Sequence, residues 1–210
     1  RAPLQALDDL YTLLEERGDH ARGVRVATLL ASTRDTPADA ERLEYALELA
    51  ATSAPDLLPE LRRVYQAHLA DDRLLSESRR TRLIDTLWTL GERAELLDPI
   101  VREASHDLPR WLSPLIEAAR AAGAPERAIA VIDRQLPRAV DRMPFSFEVE
   151  AVRALLDLSA PDAVLVPHLE WLARTVGDTW VFACDERLER LGDRDRRLAL
   201  WRFTGSRPDA

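Results

Sequence analysis

The stretch AARAAGAPERAIAVID, residues 118–133, contains two Ala-rich apolar runs separated by Gly123, Ala124 and Pro125. A Gly that follows a helix favours the left-handed conformation that ends it, because Gly has no Cβ to clash. A Pro in the first helical turn costs no hydrogen bond, because the amides of that turn have no partner within the helix. The stretch therefore predicts two helices joined by a tight turn.

Turns with similar chemistry recur along the chain. Their leading residues lie 32 to 37 positions apart and are Gly18, Ala54, Gly91, Gly123, Ala160 and Gly192. A second set of breaks lies between them, near Asp35-Thr36-Pro37, Asp71-Asp72, Asp107-Leu108-Pro109, Asp141 to Pro144, and Gly177-Asp178. Apolar residues have helical spacing between the breaks, as in LQALDDLYTLLEERGD, residues 4–19. We therefore expect an all-α fold of six hairpins, each of which buries its apolar face only against its neighbours.

Four prolines lie inside the second helices of these predicted hairpins, at Pro59, Pro99, Pro137 and Pro167. A proline in a helix interior removes a backbone hydrogen bond and clashes with the preceding turn. We expect shortened or bent helices at these positions.

The sequence LSPLIEAARAAGAPERAIAVIDRQL, residues 112–136, resembles the tetratricopeptide repeat (TPR) family, whose helix-turn-helix units are about 34 residues long. The matching positions are Leu112, Leu115, Ile116, Ala119, Ala128 and Ile132. The resemblance is to a TPR-like family with degenerate motifs. It implies a right-handed α-solenoid of about six helix-turn-helix hairpins, a TPR-like superhelix. The implied boundaries are one domain over residues 1–204 and a C-terminal tail over residues 205–210.

The resemblance also implies a function, because the first helices of TPR hairpins line a concave groove that binds a peptide or helix of a partner. The implied partner-binding residues are Asp8, Glu15, Glu41, Glu44, Glu48, Asp85, Trp88, Glu117, Arg120, Phe147 and Glu150. The same rule places further residues in the groove, namely Gln5, Thr12, Ala51, Ser78, Thr81, Arg110, Ser113, Ala154, Asp157, Thr179, Phe182, Glu186 and Glu189. Acids dominate, so we expect a non-enzymatic scaffold for a basic or amphipathic protein segment.

A simpler interpretation is that these acids form the solvated faces of amphipathic helices. The remaining bulky aromatic residues have helical spacing and are expected in the core; they are Trp111, Trp171, Trp180 and Trp201. We interpret the single cysteine, Cys184, as a buried apolar residue, since free cysteines are among the most buried residue types.

The sequence contains none of the common catalytic or cofactor-binding motifs. All 29 basic residues are Arg, which is typical of a GC-rich bacterial genome and excludes a phosphate-loop or Schiff-base lysine. The four histidines lie at least 38 residues apart, without the spacing of a zinc motif. We therefore predict no enzyme activity, no cofactor and no metal. The leading enzymatic alternative is an (α/α)6 fold that acts through paired carboxylates such as Asp8-Asp9 or Asp185-Glu186.

Charge and hydropathy limit the class of partner. The net charge of −8 argues against nucleic acid, which requires a positive surface. No apolar run reaches the roughly 18 residues of a membrane span, so we expect no membrane insertion and a cytoplasmic location. The chain begins at Arg1, and we expect it to be a piece of a longer protein. This leaves a second alternative, a structural spacer or sensor segment that forms a homodimer or continues a longer repeat array.

Overall fold

The computed structural model describes residues 2–71, 76–139 and 145–204. Within these ranges the chain forms α-helices and short 3-10 turns but no β-strand, which confirms the all-α prediction. The helices are α1 (Ala2–Glu16), α2 (His20–Arg34), α3 (Pro37–Ser53), α4 (Leu58–Ala70), α5 (Glu77–Thr89), α6 (Leu97–Ala104), α7 (Leu108–Ala121), α8 (Pro125–Ala139), α9 (Phe145–Asp157), α10 (Asp162–Thr175), α11 (Asp178–Arg190) and α12 (Arg194–Thr204). The break at Asp72, the break at Asp141 to Pro144 and the tail 205–210 lie outside the described residues.

The chain divides into two compact units, Arg1–Glu92 and Arg93–Ala210. In the N-terminal unit each helix from α1 to α5 packs on the next one. In the C-terminal unit, α6 to α12 also pack in sequence, and α6 contacts α8, α7 contacts α9 and α10 contacts α12. The predicted Gly91 turn lies at the boundary, so α5 and α6 belong to different units. A single domain over residues 1–204 stays a prediction.

Four of the six predicted turns contain a glycine with positive φ, at Gly18, Gly91, Gly123 and Gly192, and in a fifth the positive φ is at Ser159, one residue before the predicted turn. In the Gly123 turn, the amide of Ala124 donates to the carbonyl of Ala119 at 2.9 Å. The amide of Gly123 donates to the carbonyl of Arg120 at 3.1 Å. These two bonds occupy carbonyls that the end of the helix would otherwise leave without a partner.

The prolines shift where helices begin. Pro59 and Pro99 lie in the first turns of α4 and α6, and each helix is preceded by a 3-10 turn, at Pro55–Leu57 and Ala94–Leu96. Both prolines were expected in helix interiors, but they lie in first turns, where a proline removes no internal hydrogen bond. Helix α6 is short, with 8 residues, whereas α4 has 13, the same length as α5. Pro167 lies inside α10.

Leucine and isoleucine side chains fill the interior of both units, together with tyrosine in the N-terminal unit. Those with the least exposure include Leu30, Leu47, Tyr65 and Leu83 in the N-terminal unit, and Ile100, Leu115, Ile132 and Leu169 in the C-terminal unit. Of the four tryptophans expected in the core, Trp111 and Trp201 are buried, whereas Trp171 and Trp180 are partly exposed. Cys184 is buried, as predicted.

Two glycines of the N-terminal unit should respond in opposite ways to substitution by Ala. Gly18 has a φ of +68°, and Gly23 lies inside α2; a Cβ at either position would have open space. We expect Gly18→Ala to lower the free energy of unfolding by about 1 kcal/mol, because Ala disfavours positive φ. Gly23→Ala should raise it by about 0.5 to 1 kcal/mol, because Ala loses less backbone entropy in a helix. Urea denaturation followed by circular dichroism measures both, and equal effects would contradict this account.

Candidate functional site

The first charged cluster in the N-terminal unit surrounds Asp8 of α1. Arg34 donates to both carboxylate oxygens of Asp8, at 2.7 and 2.8 Å, and Arg42 donates to Oδ1 at 2.8 Å. Both arginines also bind Asp39, whose side chain is buried, at 2.6 and 3.0 Å. The hydrogen bond from Arg34 lowers the pKa of Asp8, even though desolvation acts in the opposite direction. The charge of Asp8 is therefore used to join α1 to α2 and α3.

The second cluster surrounds Glu44 of α3, a residue with 0% exposure. Its Oε1 accepts a hydrogen bond from Nη2 of Arg79 at 2.5 Å and lies 2.6 Å from Nδ1 of His68. Its Oε2 accepts from Nη2 of Arg82 at 2.6 Å. One carboxylate thus joins α3 to α4 through His68 and to α5 through two arginines. The carboxylate of Glu44 is therefore held both by attraction to two arginines and by the directions of its hydrogen bonds.

Glu44 and its neighbour Glu48 have pKa values that shift in opposite directions. Burial alone would raise the pKa of Glu44, but the hydrogen bonds from His68 and Arg79 outweigh burial, and its pKa is lowered. Burial raises the pKa of Glu48, although the charge of Arg82 acts against this shift. Glu48 accepts a hydrogen bond from the hydroxyl of Tyr65. The two pKa values shift in opposite directions because Glu44 contacts more cationic groups than Glu48 does.

The predicted partner-binding residues differ in exposure. Those on the surface are Glu15, Glu41, Asp85, Glu117, Arg120 and Glu150, while Asp8, Glu48 and Trp88 are partly exposed. Glu44 and Phe147 were expected on the groove surface, but both are buried, at 0% and 8% exposure. The family spacing places them on a groove face, whereas in this chain those positions face neighbouring helices. Neither side chain offers a surface to a partner.

A shallow cleft of about 280 Å³ lies between α7 and α9 in the C-terminal unit. Six of its lining residues belong to the predicted groove: Ser113, Glu117, Arg120, Glu150, Ala154 and Asp157. Three more lining residues, Leu112, Ile116 and Arg153, were missed by the sequence analysis. Helical spacing could have identified these three residues, because each lies one or three positions from a predicted lining residue. The structure thus brings these six predicted residues, which come from the fourth and fifth hairpins, together in one cleft.

The rim of this cleft carries both signs of charge. Glu117 lies 3.8 Å from Arg93, a distance at which the attraction between exposed charges is weak. Among the described residues, Arg120, Glu150, Arg153 and Asp157 form no ion pair, and all four are exposed. The groove was expected to be largely acidic, but this part of it carries three acids and two arginines.

The exposed face of α5 forms a more open depression of about 450 Å³. The predicted residues Ser78, Thr81 and Asp85 line it together with Thr86 and Thr89. The hydroxyls of Thr86 and Thr89 donate to carbonyls of their own helix, those of Arg82 and Asp85, at 2.9 Å. These donors are already engaged, so this face offers less to a ligand than the α7/α9 cleft does.

The described part of the chain contains no group of three or more His, Cys, Asp or Glu residues placed to hold a metal ion. His168 lies 2.9 Å from Asp133 and forms a pair with it. No described helix combines the length and apolar character needed to cross a bilayer. Comparison with protein-family models, with curated proteins and with solved structures found no match for this chain. Membership of the TPR family therefore stays a prediction.

The Glu44 cluster predicts a specific dependence of stability on pH. The folded state lowers the pKa of Glu44 below its ordinary 4.5, so its charge stabilises the fold above that pH. This contribution is lost as the pH falls through the lowered pKa. We expect Glu44→Gln to cost about 3 to 5 kcal/mol at pH 7, because it removes a buried carboxylate charge that Arg79 and Arg82 both bind. The loss between pH 7 and pH 3 should be smaller in the variant than in the wild type.

The matched control is Glu41→Gln, because Glu41 is exposed and lies 3.8 Å from the same arginine. It should cost less than about 1 kcal/mol, as expected for a surface ion pair. Urea titrations at several pH values measure all three proteins. Equal costs for the two variants would show that burial of Glu44 has no special role.

The thiol of Cys184 should be unreactive while the protein is folded. Burial raises its pKa to about 12, and the nearby Glu170 acts in the same direction. Only the thiolate attacks a disulfide reagent, so we expect labelling by a chromogenic aromatic disulfide to follow global or local unfolding. Full labelling in 6 M urea is the control. Stoichiometric labelling of the native protein within seconds would contradict the structure.

Proposed function

We propose that this chain is a non-enzymatic protein-interaction scaffold whose α7/α9 cleft binds an amphipathic helix or peptide of a partner protein. The observation that carries this proposal is the composition of the cleft, an apolar floor between two helices with charged residues along both edges. The proposal rests on the surface of the C-terminal unit alone.

The floor of the cleft suits the apolar face of a helix. Of its apolar lining residues, Leu112 and Ala154 are buried and Ile116 is partly exposed. Leu112 and Ile116 are one helical turn apart on α7, so the apolar surface runs along the helix axis. Helices with apolar residues at positions i, i+3 or i+4, and i+7 dock into grooves of this kind.

The rim sets the preferred charge of the partner. Glu117 and Arg120 stand on α7, and Glu150, Arg153 and Asp157 stand on α9, which gives an excess of one negative charge. Rim charges change the rate of association and the orientation of a partner more than its affinity. A segment with basic residues beside Glu117 and Glu150 and an apolar stripe between them fits this pattern best.

We further propose that the hairpins stack as a TPR-like right-handed α-solenoid. The left-handed turns and the contacts of α6 with α8 and of α7 with α9 support this arrangement within the C-terminal unit. Stacked hairpins place first helices side by side, and the cleft that α7 and α9 share fits such stacking.

The (α/α)6 enzyme alternative has one supporting observation. Glu117, Glu150 and Asp157 line the same cleft, as paired catalytic carboxylates would. All three side chains are exposed, however, and a carboxyl group that acts as a general acid normally depends on burial in an apolar pocket. The exposed rim therefore favours binding over catalysis.

Peptide binding by the cleft can be tested with peptides that are selected from a random library for binding to this protein. We expect the immobilised chain to recover amphipathic sequences from a displayed library of random 16-residue peptides. Ile116→Arg should weaken a selected peptide at least about tenfold, because it puts a charge in the apolar floor. Glu117→Arg with Glu150→Arg should weaken basic peptides and reduce the dependence of their affinity on salt. Fluorescence anisotropy of labelled peptides measures each affinity.

The control is Val176→Arg, which places the same side chain at an exposed apolar position outside the cleft, in the same unit. Its affinity should match the wild type. Peptides that bind Ile116→Arg as tightly as the wild-type protein would refute the proposed site.

A further inference from the structure

One carboxyl group in the C-terminal unit lies in the core without a partner. Glu148 of α9 is 2% exposed, and its Oε2 is buried and accepts no hydrogen bond. By contrast, the buried acids of the N-terminal unit, Asp39 and Glu44, each bind two arginines. Among the described residues, no cation pairs with Glu148 to balance a negative charge.

Glu148 belongs to the core face of α9. It shares this face with the buried residues Ala151, Val152 and Leu155, which follow it at helical spacing. The α9 residues of the cleft form a second row, namely Glu150, Arg153, Ala154 and Asp157. Each residue of the second row lies two positions after a residue of the first row, which is about 200° around a helix. The core face and the cleft face are therefore on opposite sides of the same helix.

The three helices that pack against α9 supply no counter-charge for Glu148. These helices are α7, α8 and α10. Their charged residues that are not exposed have partners of their own, in the pairs Asp133–His168, Asp162–Arg190 and Glu170–Arg196. The other described charged residues of the three helices are exposed, and on α7 they include Glu117 and Arg120 of the cleft. Burial is the one cause that raises the pKa of Glu148.

The position of Glu148 within α9 determines how an ionised side chain could leave the core. A buried carboxylate without a partner is unstable, so ionisation favours any conformation in which the group reaches water. Glu148 is the fourth residue of α9, which begins at Phe145, so unwinding one helical turn is enough to release it. Glu150 is only two residues further along and would then stand at the frayed end of the helix.

We propose that loss of the proton from Glu148 opens the first turn of α9 and thereby weakens the α7/α9 cleft. While Glu148 is neutral, α9 begins at Phe145 and holds Glu150 at the edge of the cleft. Once Glu148 is ionised, the helix begins later and Glu150 loses its fixed position. The effect on binding rests on the function proposed for the cleft, whereas the opening of α9 does not.

The direction of the pH dependence identifies the group responsible. The folded state raises the pKa of Glu148 above its ordinary 4.5, so its contribution to stability is complete below that pH. This contribution is lost as the pH rises through the raised pKa. The exposed acids of the cleft act in the opposite direction, because their ionisation strengthens the attraction of a basic peptide. An affinity that falls as the pH rises therefore points to Glu148 rather than to the rim.

Amide hydrogen exchange measures the opening of α9 without any partner. The amides of residues 149–152 donate to the carbonyls of the first turn, so their protection reports whether that turn is formed. After correction for the intrinsic rate, their protection factors should fall at least about tenfold in the wild type between about pH 5 and about pH 8. They should change less than about twofold in Glu148→Gln, which cannot ionise. The amides of Leu115 and Ala119 in α7 are the internal reference.

Two further variants make the comparison specific. Glu148→Met replaces the carboxyl group by an apolar side chain of similar length and should remove the pH dependence as Glu148→Gln does. Glu126→Gln removes an exposed acid from the first turn of α8 and should keep the response of the wild type. His168 also changes charge in this pH range, but all these variants retain it. Circular dichroism checks that each variant is folded.

The effect on the cleft is measured with a selected basic peptide that contains no histidine. Its dissociation constant should rise at least about fivefold between about pH 5 and about pH 8 in the wild type, and less than about twofold in Glu148→Gln. Equal protection of residues 149–152 at both pH values would overturn the proposal, and so would the same loss of protection in Glu148→Gln. Opening of α9 with an unchanged peptide affinity would overturn its link to the cleft. If no peptide binds at either pH, the proposed binding function fails, and the exchange data still decide whether Glu148 controls α9.

Discussion

The fold depends on the short turns in which the chain reverses direction between one helix and the next. The carbonyls at a helix end need partners, and a left-handed residue lets the next amides turn back to supply them. In the Gly123 turn this happens within three residues, so α7 and α8 leave the turn as neighbours. The short connection determines which helices pack together, and the amphipathic pattern then determines which faces they bury.

The spacing of turns in the sequence predicted the left-handed turn residue correctly where that residue is a glycine. Gly18, Gly123 and Gly192 stand at the left-handed positions that their spacing indicated. In the fifth hairpin, the left-handed residue is Ser159, one position before the Ala-Pro-Asp sequence that marked the turn. A serine carries no signal for that conformation, so the position could not be predicted. The turn at Ala54 was predicted, but its 3-10 helix at Pro55–Leu57 and the division of the chain after Glu92 were not, because neither follows from the local spacing of turn residues.

Ion pairing across hairpins explains why several predicted groove residues do not face solvent. Asp8 binds Arg42 at a separation of 34 residues, and Glu44 binds Arg79 at 35. His168 pairs with Asp133 at 35 as well. These separations are close to the repeat length of about 35 residues that the spacing of the turns predicts. Local composition and helical spacing show only that Glu44 is a polar residue on a helix. Its buried cationic partner, Arg79, stands 35 residues further along the chain, where local spacing does not reveal the pairing.

The α7/α9 cleft breaks this pattern in an informative way. Glu117 and Arg153 are 36 residues apart, and Arg120 and Asp157 are 37 apart, so opposite charges again stand about one period apart. All four line the cleft, yet neither couple forms an ion pair. In the N-terminal unit such pairs close the space between helices, whereas here Leu112, Ile116 and Ala154 lie at the base of an open cleft. The proposed partner segment would meet an apolar surface together with charges of which only Glu117 has an ion pair within the described residues, the long one with Arg93, and such a combination can give both affinity and orientation.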